Sequence, residues 1–126
     1  RRTDAIKTGL DYHQKALEMA EAVENPSHHI KRHINISLNS IGNLYKTLEQ
    51  YDLALTQFRR ALRLEGELGN KLGLAINHQN IGECLELKED LEGALENYRN
   101  SLAYNEEIDS DYGRTICKNS LAQIYL

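Results

Sequence analysis

Apolar residues return every three or four positions along nearly the whole chain, broken at intervals by polar clusters, glycines and a single proline. That spacing marks amphipathic helices, and the β-branched runs that would suggest strands are missing. The first stripe, Ile6, Leu10, Leu17, Ala20 and Val23, can be capped by Thr3 or Asp4 and is interrupted at Asn25-Pro26. Ser27 caps a second, through Ile30, Ile34, Leu38, Ile41, Leu44, Tyr45 and Leu48. The third starts from a capping Asp52, turns Leu55, Phe58, Leu62 and Leu64 inward, and is stopped by Gly66 and Gly69-Asn70. Leu72, Leu74, Ile76, Ile81, Cys84, Leu85 and Leu87 form the fourth stripe, and Leu91, Leu95, Tyr98, Leu102 and Ile108 the fifth. Asp109-Ser110-Asp111 opens the sixth, which runs through Ile116, Leu121, Ile124 and Tyr125. The pattern therefore predicts six helices, at about 3–24, 27–48, 52–67, 71–88, 91–108 and 110–126, in a single all-α domain over residues 1–126. Turns this short place each helix antiparallel beside the one before it.

The stripes repeat. Ile41-Gly42-Asn43-Leu44-Tyr45 returns as Ile81-Gly82-Glu83-Cys84-Leu85, and again, worn, as Leu121-Ala122-Gln123-Ile124-Tyr125, a period of 40 residues. Periods of about 20–50 residues indicate stacked supersecondary units, an α-solenoid.

Inside the unit the offsets resemble those of the tetratricopeptide repeat, in which a Leu-Gly pair is followed by Tyr on one helix and by Ala, an aromatic and Ala on the next. The first complete unit has Ile41-Gly42, Tyr45, Ala54, Phe58 and Ala61-Leu62; the second has Ile81-Gly82, Leu85, Ala94, Tyr98 and Ser101-Leu102 at the same spacing. The chain opens on a second-type helix, with Ala16-Leu17 in the place of Ala61-Leu62, and closes on a first-type helix. Gly42 and Ala54 are small where the helices of a hairpin approach, and Phe58 and Tyr98 fill the space between hairpins. Three features depart from the family pattern. Gly66 and Glu106 stand where a proline usually ends the second helix, the first turn carries five extra residues around Pro26, and the period is 40 rather than about 34. The resemblance implies a right-handed superhelix of helical hairpins. The long unit is similar to repeats of signalling adaptors and of bacterial regulators in which such an array precedes an output domain, and the bacterial regulator is the favoured expectation.

In this family the first helices line a groove, and the groove-facing positions correspond here to Asn39, Ser40 and Asn43, to Gln79, Asn80 and Glu83, and to Asn119, Ser120 and Gln123. This amide-rich floor suits the backbone of a protein or peptide segment. No Lys or Arg stands at these positions, which disfavours capture of a terminal carboxylate; Arg32, Lys46 and Glu86 flank the floor. A structural array that self-associates through its exposed ends, as a homodimer, is the second expectation, and small-ligand or metal sensing near His28, His29 and His33 the third.

Composition narrows the field. The net charge is −4 and the pI about 5.7, so the basic footprint that direct nucleic-acid binding needs is absent. The charge is uneven: residues 1–63 hold ten Lys/Arg against seven Asp/Glu, and residues 64–126 five against twelve. No stretch approaches the roughly 18 apolar residues of a membrane span, and a start without Met suggests a piece of a longer chain and leaves targeting open.

Signals for chemistry are weak. His29 and His33, at i and i+4, share a helical face, but a metal site needs a third ligand, and the nearest acid in sequence, Glu24, lies across the turn; no metal or cofactor is expected. Cys84 and Cys117 lie on different helices without CxxC spacing and are expected to be small buried hydrophobes. His78 points away from Cys84, and no Gly-rich nucleophile turn exists. Glu89-Asp90 and Glu106-Glu107 fall at turns, and Tyr45, Tyr98, Tyr104 and Tyr125 at core or near-core spacing. The chain is not expected to be an enzyme.

Overall fold

The computed structural model describes residues 1–125; Leu126, the end of the predicted sixth helix, lies outside the described residues. The described residues form six α-helices: α1 Arg2–Glu21, α2 His28–Thr47, α3 Tyr51–Leu68, α4 Lys71–Leu87, α5 Leu91–Glu107 and α6 Asp111–Tyr125. They divide into two compact units, Arg1–Leu64 and Glu65–Leu126, within which successive helices pack as antiparallel neighbours.

The turns explain why helices of such even length form. Glu49, Gly69, Glu89 and Asp109, each twenty residues after the last, adopt φ of +62°, +66°, +65° and +55°. Each closes a helix with the paired backbone bonds of a left-handed C-terminal cap; at Glu89, its own N–H donates to the Glu86 carbonyl at 2.9 Å and that of Asp90 to the Leu85 carbonyl at 2.8 Å. After the last three of these turns, the next helix is capped by a side-chain oxygen that accepts from a backbone N–H three residues on. Asn70 accepts from Gly73 at 3.3 Å, Asp90 from Gly93 at 3.1 Å, and Ser110 from Gly113 at 3.1 Å.

Several local expectations are corrected. Ser27 caps α2, accepting from the Ile30 N–H at 3.3 Å, but neither Thr3 nor Asp4 caps α1, which already begins at Arg2. Asp52 sits in the first turn of α3, one residue inside its start. Gly66 does not stop α3; the helix runs through it to Leu68, and Gly69 ends it because its left-handed backbone suits a residue without Cβ. α1 ends at Glu21, so Val23 lies outside the helix, in a turn whose Asn25 also adopts positive φ before Pro26.

In the first unit Leu17, Leu38, Ile41 and Ala61 form the core, with Leu10, Ile34 and Tyr45 packed against it. α2 and α3 meet where Gly42 faces the Phe58 ring: a Cβ there would fall 2.6 Å from Phe58 Cε1. In the second unit Gly82 does the same for Tyr98, with 2.6 Å to Cε1. The glycines stand at the helix approach as expected, but Phe58 and Tyr98, expected in the space between hairpins, each pack on the glycine of their own hairpin.

A second repeated contact has no counterpart in the sequence reading. Gly73 and Gly113, 40 residues apart near the starts of α4 and α6, leave room for side chains from the end of the preceding helix. A Cβ on Gly73 would fall 1.8 Å from Glu65 Oε2, and one on Gly113 2.0 Å from Asn105 Oδ1. Glu65 and Asn105, buried although polar, reach into these gaps.

Candidate functional site

α4 and α6 are the first-type helices of the second unit, and α5 carries the floor between them. Tyr98 sets the α4–α5 approach: its ring covers Gly82, and its hydroxyl donates to Glu86 Oε1 at 2.7 Å. Burial, then the hydrogen bond to Glu86, pushes this phenol far above the usual tyrosine range, so it remains a donor. Ser101 fastens α5 to α4, donating from Oγ to the Ala75 carbonyl at 2.7 Å. α6 then docks through Cys117, whose thiol lies 3.2 Å from Ser101 Oγ and 3.5 Å from Asn105 Nδ2.

Between α4 and α6 these contacts leave a cleft of about 330 Å³. Buried Ala75, Ser101, Asn105 and Cys117 form its bottom. One end is apolar: Leu72, Ile76 and Tyr112 line it and are 52%, 49% and 80% exposed, with Ile116 half-buried beside them. Gln79, Asn80 and Glu83 line the other end. Gln79 bridges the two walls, donating from Nε2 to Ser120 Oγ at 2.9 Å and to Glu83 Oε1 at 3.3 Å, while its Oε1 lies 3.7 Å from the Cys117 thiol. Cys117 is therefore more than an apolar filler, because it joins the polar network under the cleft.

Of the nine expected floor residues, Gln79, Asn80 and Glu83 line this one cleft, and Ser120 is joined to it through Gln79. Asn119 and Gln123 are exposed on α6. In the first unit Asn43 is exposed, and Asn39 and Ser40 are half-buried; Asn39 Nδ2 donates to the Asn35 carbonyl at 3.1 Å, an intrahelical bond. Among the flanking residues, Arg32 is exposed, Lys46 stands in the last turn of α2, and Glu86 accepts from Tyr98.

The sequence reading placed Leu72, Ile76, Leu87 and Tyr125 on inward stripes; all four are about half exposed or more. For Ile76 the signal was present. Ile36, Ile76 and Ile116 recur at 40-residue spacing, each five residues before Ile41, Ile81 or Leu121. Five residues turn a helix by about 140° from the starting face, away from the core; Ile36 is accordingly 60% exposed in the first unit.

The other chemical candidates resolve into structural contacts. His78 stacks on Tyr104, with centroids 5.9 Å apart and planes at 17°, and its Nδ1 is 3.0 Å from Asn97 Oδ1. Asp90 caps α5, Glu89 closes the turn before it, and Glu107 pairs with Lys71 at 3.1 Å. His29 and His33 meet edge to face, their Nε2 atoms 3.2 Å apart, and no group of three or more His, Cys, Asp or Glu is arranged to hold a metal among the described residues. No helix among them is long and apolar enough to cross a membrane.

Against known families, the model of the tetratricopeptide repeat matches residues 33–107, from the first turns of α2 to the end of α5. No curated protein matches the chain.

Proposed function

The chain belongs to the tetratricopeptide repeat family, and from that premise we propose that it is the sensory or scaffold region of a bacterial signalling or transcriptional regulator, holding a protein or peptide segment against its first-type helices. Domains of this family are generally protein–protein interaction modules and are typically non-catalytic. The contacting residues in this reading are Asn39, Ser40 and Asn43 on α2, Gln79, Asn80 and Glu83 on α4, and Asn119, Ser120 and Gln123 on α6.

The observation that carries the reading is the α4–α6 cleft, where Gln79, Asn80 and Glu83 converge beside exposed Leu72 and Ile76. A few placed polar groups against an apolar wall are what a binding site needs: the wall supplies affinity, and the amides supply orientation. The test compares the wild-type chain with the triple variant Asn39→Ala, Asn43→Ala, Asn80→Ala in a pull-down from source lysate read by mass spectrometry, alongside melting curves. The expected result is a protein captured by the wild type and lost from the variant at an unchanged melting temperature. Identical protein sets on both would refute the role of these positions.

A second reading, a self-associating array that positions other domains, is favoured by one observation: Tyr125 is 65% exposed on α6. Under it, Tyr125→Ser and Leu121→Ser lower the sedimentation-derived mass of the chain, and under the first reading they leave it unchanged.

A further inference from the structure

We propose that His29 and His33 form a two-point chelate for a divalent transition-metal ion, copper ahead of zinc, at the start of α2. The pair belongs to the unit Arg1–Leu64 and the α4–α6 cleft to the other, so it does not depend on what that cleft binds. Three observations carry it, and the first is distance. Set about one turn apart, at i and i+4, the two imidazoles meet edge to face with their Nε2 atoms 3.2 Å apart. A metal ion holds imidazole nitrogens at about 2.0–2.1 Å, so two of them stand about 2.9 Å apart at a right angle and about 3.3 Å apart at the tetrahedral angle. The observed gap lies between those values. Both residues are exposed, which lets the rings turn their lone pairs toward one point.

The second is the exception His33 makes to the repeat. Its counterparts 40 and 80 residues on are Gly73 and Gly113, whose missing side chains admit Glu65 and Asn105 from the end of the preceding helix. The residue of α1 in the place of Glu65 and Asn105 is Ala20, by the register that sets Ala16-Leu17 against Ala61-Leu62. Small and large have changed sides. The larger partner now stands on α2, yet His33 is exposed where Glu65 and Asn105 are buried. Core packing therefore does not account for the imidazole, which rims a groove that Ala20 also lines and meets His29.

The third is donor chemistry. Imidazole suits both copper and zinc, and nitrogen sites hold divalent copper the more tightly. No third His, Cys, Asp or Glu joins the pair among the described residues, so water completes the coordination. His28 cannot join, because one residue from His29 it projects about 100° away around the helix. Charge around the pair is mixed. Lys31, Arg32 and the N-terminal end of α2 oppose a cation, while Glu24, in the turn before the helix, favours one. At an exposed site salt screens all of these, and the two nitrogens decide.

The test titrates Zn²⁺ and Cu²⁺ separately into the full chain at about pH 7.5, because a ligating imidazole must be neutral. Backbone amides are followed by NMR, by shift with zinc and by paramagnetic broadening with copper. The expected result is that residues 28–34 respond first, ahead of those around the single imidazoles His13 and His78, with copper the tighter ion. His29→Ala and His33→Ala should each weaken binding about tenfold or more, since the second bond of a chelate is intramolecular, and His28→Ala should leave it unchanged. All three residues are exposed, and an unchanged melting temperature of the metal-free variants shows that the fold is kept. If no amide in 28–34 responds to either ion at about 1 mM, if those near His13 or His78 saturate first, or if both single variants bind like the wild type, the pair is not a chelate. Zinc binding more tightly than copper would overturn the stated preference.

Discussion

Gly82 and Tyr98 are in contact across the α4–α5 hairpin so closely that a Cβ on the glycine would stand 2.6 Å from the ring. Gly42 and Phe58 hold the same relation in the α2–α3 hairpin. Neither ring can yield, since Phe58 and Tyr98 are both fully buried. Gly42→Ala and Gly82→Ala should each destabilise by about 1–3 kcal/mol, although alanine is the better helix former. Gly66 is the control: it lies in α3 with nothing within 4 Å of a Cβ, and Gly66→Ala should stabilise by about 0.5–1 kcal/mol. Urea denaturation of the three variants checks both signs.

Tyr98 also gives the chain an alkaline signature. Its folded phenol is held protonated far above the usual range by burial and the bond to Glu86. The unfolded chain releases the same proton near pH 10. The stabilisation is thus complete below pH 10 and is lost as pH rises above it, at up to about 1.4 kcal/mol per pH unit. Tyr98→Phe should remove this part of the alkaline slope and cost about 1 kcal/mol at neutral pH, by leaving Glu86 without that donor. Stability measured across pH 8 to about 11 in both proteins makes the comparison, because the other tyrosines cancel.

Asn105 and Gly113 form a pair that should be non-additive. Gly113→Ala drives its Cβ onto Asn105 Oδ1 and must dislodge the side chain whose Nδ2 donates to the Ser101 carbonyl at 2.9 Å. A loss of about 1–3 kcal/mol is expected from the displaced buried polar group. Adding Asn105→Ala empties the space, so the double variant should be more stable than the sum of the singles predicts, with a coupling of about 1 kcal/mol in a double-mutant cycle.

Left-handed turn residues offer a stabilising change. Glu49 and Glu89 hold φ of +62° and +65° where Gly69 does so without a Cβ penalty. Glu49→Gly and Glu89→Gly should each raise stability by up to about 1 kcal/mol after the extra unfolded-state entropy of glycine is subtracted. Thermal melts of the two single variants test the gain.

The thiols should be silent in the folded chain. Cys84 and Cys117 are buried at 0% and 1% exposure, so Ellman's reagent should label neither under native conditions and both after denaturation. Rapid labelling of Cys117 alone would show that α6 opens locally from α5 before the unit unfolds.

The sequence by itself determined the helices, their order and the repeat. A period of 40 residues, the Ile-Gly pairs and the recurring aromatic were visible without coordinates because each reflects a local rule: helical spacing, or a small residue where backbones approach. The family resemblance, not the spacing, singled out Gln79, Asn80 and Glu83, which line one cleft. Only the tertiary structure decided what depends on neighbours distant in sequence. Ile76 reads as core by hydrophobicity and is half exposed because α5 covers a different face of α4. Cys117 reads as an inert filler and instead touches Ser101 and Asn105, sixteen and twelve residues away. Gly73 and Gly113 carry no signal in the helical pattern, yet they are the gaps that Glu65 and Asn105 enter. Periodicity records which face of a helix is turned inward; the shape of what it meets there is a property of two chain segments at once, and the physics of packing settles it only when both are in place.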